Sequence, residues 1–294
     1  MLYKKTLGER VFNAVNLTLL TLAALSCFLP LVYVLAVSFS SSAAAMANKV
    51  ALWPVDFTLK SYQYVIRKAA FYTSFGVAVK RVLLGVPINM ALTILAAYPL
   101  SKERKAFRAR TFFSWFFIIT MLFNGGLIPW FMTIYKTGLI DKIWALILPG
   151  ALPVFNMIVL MNFFRGLPKE IEDAALIDGA GQWIILLRVF LPLSVPSLAT
   201  LVLFSAVNHW NSWFDGLILM NDPNNYPLQS YLQTVVVNRD MALVSIKDAE
   251  LLREISDRTV KCAQIFIAMI PILIAYPMLQ KYFTTGLVVG SVKG

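Results

Sequence analysis

The chain has little charge, almost no cysteine or histidine, and no glycine loop built for nucleotide phosphates. Asp, Glu, Lys and Arg make up 14% of its 294 residues, where a soluble domain carries about 25%, so a water-soluble globular fold is excluded. Two cysteines, Cys27 and Cys262, both in or beside apolar runs, and the single histidine His209 supply neither a zinc ligand set nor a disulfide framework. No Gly-x-x-x-x-Gly-Lys-Ser/Thr pattern occurs, so the chain has no familiar cradle of its own for ATP. No nucleophile, base and orienting group fall together, which argues against an enzyme, and neither a metal nor another cofactor is expected in the chain. The net charge of +11 is divided among the connections between apolar runs instead of forming one stripe with interleaved aromatics, which argues against a nucleic-acid partner. No fixed-period repeat and no low-complexity tract is present.

What the chain has is apolar length. Hydrophobic residues make up 59% of it, and six runs reach the roughly 20 residues needed to cross a bilayer: Asn13–Ser38, Tyr72–Leu100, Thr111–Thr133, Ile143–Phe164, Leu193–Met220 and Cys262–Phe283. Each should be a helix, because a backbone facing lipid must satisfy its own hydrogen bonds. The expected fold is therefore an all-α integral membrane protein, one transmembrane domain over residues 1–294. The first run follows Lys4, Lys5 and Arg10 and precedes Ala43-Ala44-Ala45, as in a cleaved signal peptide, but its apolar stretch exceeds a signal core and predicts a retained anchor. The connection Ser101–Arg110 carries five basic residues against two in Ile134–Lys142, which places the former in the cytoplasm. Both termini and the connection 165–192 then lie inside, and the stretches 39–71 and 221–261 outside. Within the second of these, Ile246, Ala249, Leu252 and Ile255 recur at near-helical spacing and predict an amphipathic helix over Ser245–Arg258.

Between the fourth and fifth runs, where only a loop is required, stands a signposted helix. Pro168 suits a first helical position, Glu170, Glu172 and Asp173 sit where the helix dipole favours negative charge, and Gly179 supplies a left-handed stop. A helix of about ten residues is not stable alone in water. It must pack on something, and the small pair Ala174-Ala175 suggests close approach to a partner. Interfacial helices that merely rest on lipid are usually basic on their polar face, whereas this one is acidic.

Glu172, Ala174-Ala175, Gly179 and Leu191-Pro192 resemble the EAA loop of binding-protein-dependent ABC importers, the cytoplasmic segment by which the membrane subunit docks on its ATPase. The variant Asp178-Gly179-Ala180 is similar to the sugar-importing branch typified by the maltose transporter's smaller permease subunit, and the C-terminal run Gln280–Gly294 resembles that subunit's tail. The resemblance implies a multi-pass permease of the bacterial inner membrane that imports an oligosaccharide. Its partners would be a second, homologous permease, two ATPase subunits that hold ATP and Mg, and an extracytoplasmic solute-binding protein. It also assigns ATPase coupling to Glu172, Asp173, Ala174, Ala175, Asp178 and Gly179. Glu172 is read as a contact to the ATPase or to its own helix dipole, and Asp178 either as a partner contact or as a cap for a helix starting near Gln182.

Two clusters are candidates for the substrate path. Lys80 and Arg81 interrupt the second run about 12 Å from its outer end at 1.5 Å per residue, a depth at which charges face a cavity or a partner. Adjacent helix positions point about 100° apart, so both cannot line one path equally. An anionic substrate, a structural ion pair and snorkelling all remain open for them. The fifth run holds Asn208-His209-Trp210-Asn211-Ser212-Trp213-Phe214-Asp215, in which Asn208, Trp210 and Asn211 could bind hydroxyls and stack on sugar faces, or serve helix packing. The prolines Pro30, Pro87, Pro129, Pro153, Pro196 and Pro271 are read as scaffold, and Asn124-Gly125-Gly126 as a place where another helix or substrate can approach closely, with close helix packing the preferred reading. The run Phe123–Pro129 resembles a subgroup handling polysaccharide-derived sugars, including the permease of the alginate importer, which makes uronate oligosaccharides the expected substrate class. Neutral oligosaccharides are the alternative, and a self-sufficient secondary transporter or a non-transporting scaffold are the rival classes.

Overall fold

The computed structural model describes residues 6–237 and 256–291, and among these there are helices, turns and coil but no strand. Leu7–Ser38, Ala69–Ser101 and Asp257–Ala275 are each single helices long and apolar enough to cross a membrane. The other three expected spans are bent pairs: Arg110–Leu122 with Leu127–Lys136 at 113°, Ile143–Gly150 with Val154–Arg165 at 46°, and Gln182–Leu193 with Val195–Asn211 at 83°. The protein is thus an all-helical membrane protein in which half of the spans are broken.

The breaks follow local chemistry. Gly126 adopts φ +90° with its N–H donated to Asn124 Oδ1 at 2.8 Å, a turn that only glycine enters without strain. Asn124-Gly125-Gly126 is therefore a break in the span and not a packing seam within a continuous helix. Pro153 stands at the start of Val154–Arg165, preceded by two short 3-10 turns. Pro192 and Pro196 flank Ser194, and the turn before Pro192 widens to π geometry over Leu186–Phe190, as happens where a ring displaces the ordinary bonding pattern. Pro30, Pro87 and Pro271, by contrast, lie inside unbroken helices. The fifth span ends at Asn211 and not near Met220, since Ser212 and Trp213 leave the helix before a short one, Phe214–Leu219.

Two compact units make up the chain, Met1–Ala69 with Thr234–Met269, and Ala70–Gln233 with Ile270–Gly294. In the first, Ala36, Val37, Ala44, Ala45 and Val50 form a small core. There Arg258 donates to the Ala45 carbonyl at 3.0 Å and also reaches Asn48 and the Tyr33 hydroxyl. The N-terminal helix exposes Leu17, Leu20, Leu22 and Phe28, the surface that lipid or another membrane subunit requires. In the second unit, Met90, Tyr98, Met157, Leu160, Phe164, Ile185, Phe190 and Leu201 form the main core, where a residue such as Leu160 is fully buried. The expected amphipathic helix over Ser245–Arg258 lies outside the described residues as far as Ile255; from Asp257 the chain is already in the last long helix.

Candidate functional site

The acidic helix runs from Lys169 to Ile177, with Pro168 just before it and Glu170 and Glu172 in its first turn. It ends in a Schellman turn: Gly179, at φ +76°, donates to Leu176 O at 3.0 Å, and Ala180 donates to Ala175 O at 2.9 Å. Glu172 accepts from Lys102 Nζ at 2.6 Å, with the lysine side chain 10% and the glutamate 23% exposed. The same ammonium lies 4.1 Å from the centre of the Tyr98 ring and 4.2 Å from that of Phe190, so two aromatic faces and one carboxylate surround it. Burial pulls the Lys102 ammonium below its ordinary range, and Glu172 partly opposes that shift. Further ties fix the same region: Tyr98 donates to Gln182 Oε1 at 2.8 Å, Arg165 to Leu100 O at 2.8 Å, and Arg110 to Lys102 O at 3.1 Å. On the rim Lys169 pairs with Glu103, whose carboxyl it holds below the ordinary carboxylate range.

The six residues expected on this segment therefore divide. Glu172 and Ala175 turn inward, Ala175 packing on the main core together with Leu167 and Ala180. Asp173, Ala174, Asp178 and Gly179 are exposed, as are Ile171, Leu176 and Ile177, the last at 86%. Asp178 ends the helix through its backbone and does not cap the next one, whose first flanking residue is Gly181. The sequence reading passed over Lys102 as one basic residue of a loop. Its place just past the end of the helix that carries Tyr98, and an aromatic just before Leu191-Pro192, were the available signals.

Inside the membrane span a second cluster forms. Arg81 is 4% exposed and engages Asp215 with both terminal nitrogens, Nη1 to Oδ1 at 3.1 Å and Nη2 to Oδ2. Arg81 Nε points to His209 Nδ1 at 3.4 Å, and His209 Nε2 meets Asn89 Oδ1 at 2.5 Å. An amide oxygen can only accept, so Nε2 carries the proton and Nδ1 presents its lone pair to the arginine. Asn89 in turn donates to the carbonyls of Gly150 at 2.8 Å and Ala151 at 3.2 Å, satisfying the backbone freed where the fourth span bends. Gly85 is required here, since a Cβ at that position would collide with the His209 ring. The pair Lys80-Arg81 thus splits: Arg81 is committed to Asp215 and Lys80 is exposed. Asn208 and Asn211 are also exposed, whereas Trp210 is buried edge-on against Phe75 at 5.6 Å. The structure does not bring the five path candidates together into one site. Asp215 and Asn89 are not among those five candidates; for the first, the signal was a single acid in one apolar run set against the basic pair Lys80-Arg81 in another, charges that need a counter-charge at that depth.

A helical membrane chain with broken spans, paired polar groups within them and a short acidic helix clamped between the fourth and fifth spans is constructed as a transport permease. It belongs to the family described as binding-protein-dependent transport system inner membrane component, whose model matches residues 90–289. It is 36% identical over 286 residues to the polygalacturonan/rhamnogalacturonan transport system permease protein YtcP of Bacillus subtilis (strain 168), covering 97% of this chain and 99% of that one. Protein LplC of the same organism is 38% identical over 289 residues, covering 98% and 97%. Among solved structures, a bacterial ABC transporter involved in the import of the acidic polysaccharide alginate matches with a TM-score of 0.88 at 34% identity, over 95% of this chain and 99% of that one. A bacterial alginate ABC transporter in complex with alginate pentasaccharide-bound periplasmic protein matches at 0.54 and 16% identity, which bears on the fold alone. The chain is accordingly a multi-pass inner-membrane component of an ABC importer, the permease and not the catalytic part.

Proposed function

We propose that this chain is one of two permeases in an importer of acidic oligosaccharides, uronate chains of pectic or alginate type, working with a second homologous permease, two ATPase subunits and an extracytoplasmic binding protein. The observation that carries the substrate class is the nearly full-length agreement with the permease of the alginate importer structure, a TM-score of 0.88 at 34% identity. Coupling to the ATPases is assigned to the exposed face of Lys169–Ile177, with Asp173, Ala174, Leu176, Ile177 and Asp178 as the contact surface. Glu172, Ala175 and Gly179 hold that face in position. A clamp of this kind suits force transmission, because displacement of the helix must move Lys102 and, through it, the end of the second span. The loop 101–110 then faces the cytoplasm, as do both termini.

One observation favours a neutral path on this chain: Arg81, the most buried basic group in the span, is already neutralised by Asp215. The charge of a uronate chain would then be met on the second permease or the binding protein. The test is a panel of sugars. With the complete complex and its binding protein, galacturonate and mannuronate oligomers should stimulate ATP hydrolysis while neutral oligomers of equal length do not. Stimulation by neutral oligomers alone would contradict the acidic reading.

A further inference from the structure

Where the third span breaks, the second unit forms an open cleft of about 420 Å³ lined chiefly by Asn124, Gly126, Trp130, Ser212, Phe214 and Asp215. Small-molecule sites occupy about 300–1,000 Å³ and combine apolar walls with a few placed polar groups. Irregular backbone at membrane depth is tolerated only where it is buried in protein or lines a cavity, and loose ends of broken helices often mark a transporter's binding site. The 113° bend at residues 123–126 is such a break. A neighbouring cleft of about 520 Å³ shares Asn124, Gly126 and Trp130, so these three residues stand at a junction of open space.

The chemistry of the walls is specific. Asn124 uses its amide oxygen to accept from Gly126 N–H at 2.8 Å, which leaves the NH2 group as a donor. Ser212 gives its proton to Asp215 Oδ1 at 2.8 Å, which leaves its oxygen lone pairs as acceptors. Trp130 and Phe214 add flat apolar surface. The Asp215 carboxylate alone would repel an acidic ligand, but the Arg81 fork covers both of its oxygens, so the wall carries no net charge. Among the described residues no group of His, Cys, Asp or Glu could hold a metal ion, and no basic residue lines the cleft for a phosphate. Donors, acceptors and aromatic faces around an uncharged cleft are the chemistry of a sugar ring.

We infer that this cleft is a sugar-ring subsite of the translocation path, with one ring face against Trp130 and ring hydroxyls on Asn124 and Ser212. The inference rests on the oligosaccharide-import reading above and gives it a location that differs from the expected one: Trp130, and not the buried Trp210, supplies the stacking surface. The test uses the complete complex in proteoliposomes with labelled galacturonate trisaccharide and labelled maltotriose as probes. Trp130→Ala and Asn124→Ala should each reduce uptake of whichever trisaccharide the wild type transports, by about tenfold, which corresponds to about 1.4 kcal/mol. Complex yield should stay within about twofold of wild type. Trp130→Phe, which keeps an aromatic face, should recover most of the uptake. Uptake unchanged in both alanine variants, or falling only in step with complex yield, would overturn the subsite. Wild-type uptake of maltotriose and not of galacturonate trisaccharide would overturn the acidic reading while leaving the subsite to be judged by the variants. Uptake of neither would overturn the sugar-import reading itself.

Discussion

Arg81 and Asp215 illustrate how a charge can exist inside an apolar span: each makes the other tolerable, and His209, Asn89 and the freed carbonyls of Gly150 and Ala151 complete the set. Removing one member of a buried pair is expensive because the partner is left uncompensated, by about 3–5 kcal/mol. Arg81→Gln should therefore lower the melting temperature and yield of the purified complex, and adding Asp215→Asn should restore part of both. A single variant as stable as wild type would show that the pair is not formed in the assembled transporter. Lys80→Gln, one position away but exposed, should change stability by no more than about 0.5 kcal/mol. Gly85→Ala should resemble Arg81→Gln, since the added methyl meets the His209 ring; normal yield and uptake in that variant would remove the network from the account. The sequence showed that Lys80 and Arg81 could not both face one path, because helix positions one apart diverge. It could not say which turned inward, because that depends on where Asp215 sits after a chain separation of 134 residues.

At the scale of elements, the helix Lys169–Ile177 was legible because every local signal agreed: proline before it, acids in its first turn, glycine at its stop. Its orientation was not. Ala174 and Ala175 look alike in sequence, yet Ala175 faces the chain's own core and Ala174 faces out. Ala175→Arg should consequently disturb this subunit's packing and lower the yield of the complex. Ala174→Arg should leave yield near wild type and abolish substrate-stimulated ATP hydrolysis and uptake. Normal coupled activity in Ala174→Arg would show that this face is not the docking surface. Lys102→Met keeps the side-chain volume but leaves Glu172 without its partner, so loss of uptake should exceed loss of yield; unchanged uptake would mean that the clamp transmits nothing. The spans themselves were readable as apolar runs, but their breaks were only partly so. Prolines alone do not mark them, since Pro30 and Pro87 sit in continuous helices. Breaks fall where a proline or glycine coincides with a second irregularity, as at Asn124-Gly125-Gly126 and between Pro192 and Pro196.

For the whole molecule, the family and the transport role follow from long-range agreement along the chain, whereas the proposed sugar subsite depends on a few side chains brought together by the breaks, a juxtaposition that no local pattern specifies. The central claim is that this permease passes acidic oligosaccharides inward at the expense of ATP hydrolysed by partner subunits. It is tested most directly by uptake of labelled galacturonate oligomers into proteoliposomes holding the full complex, with the loaded binding protein outside and ATP either sealed inside or omitted. The account predicts accumulation only when ATP and the binding protein are both present, and its loss in the Ala174→Arg complex. Accumulation without nucleotide, or ATP-driven accumulation of neutral oligomers with exclusion of acidic ones, would contradict it.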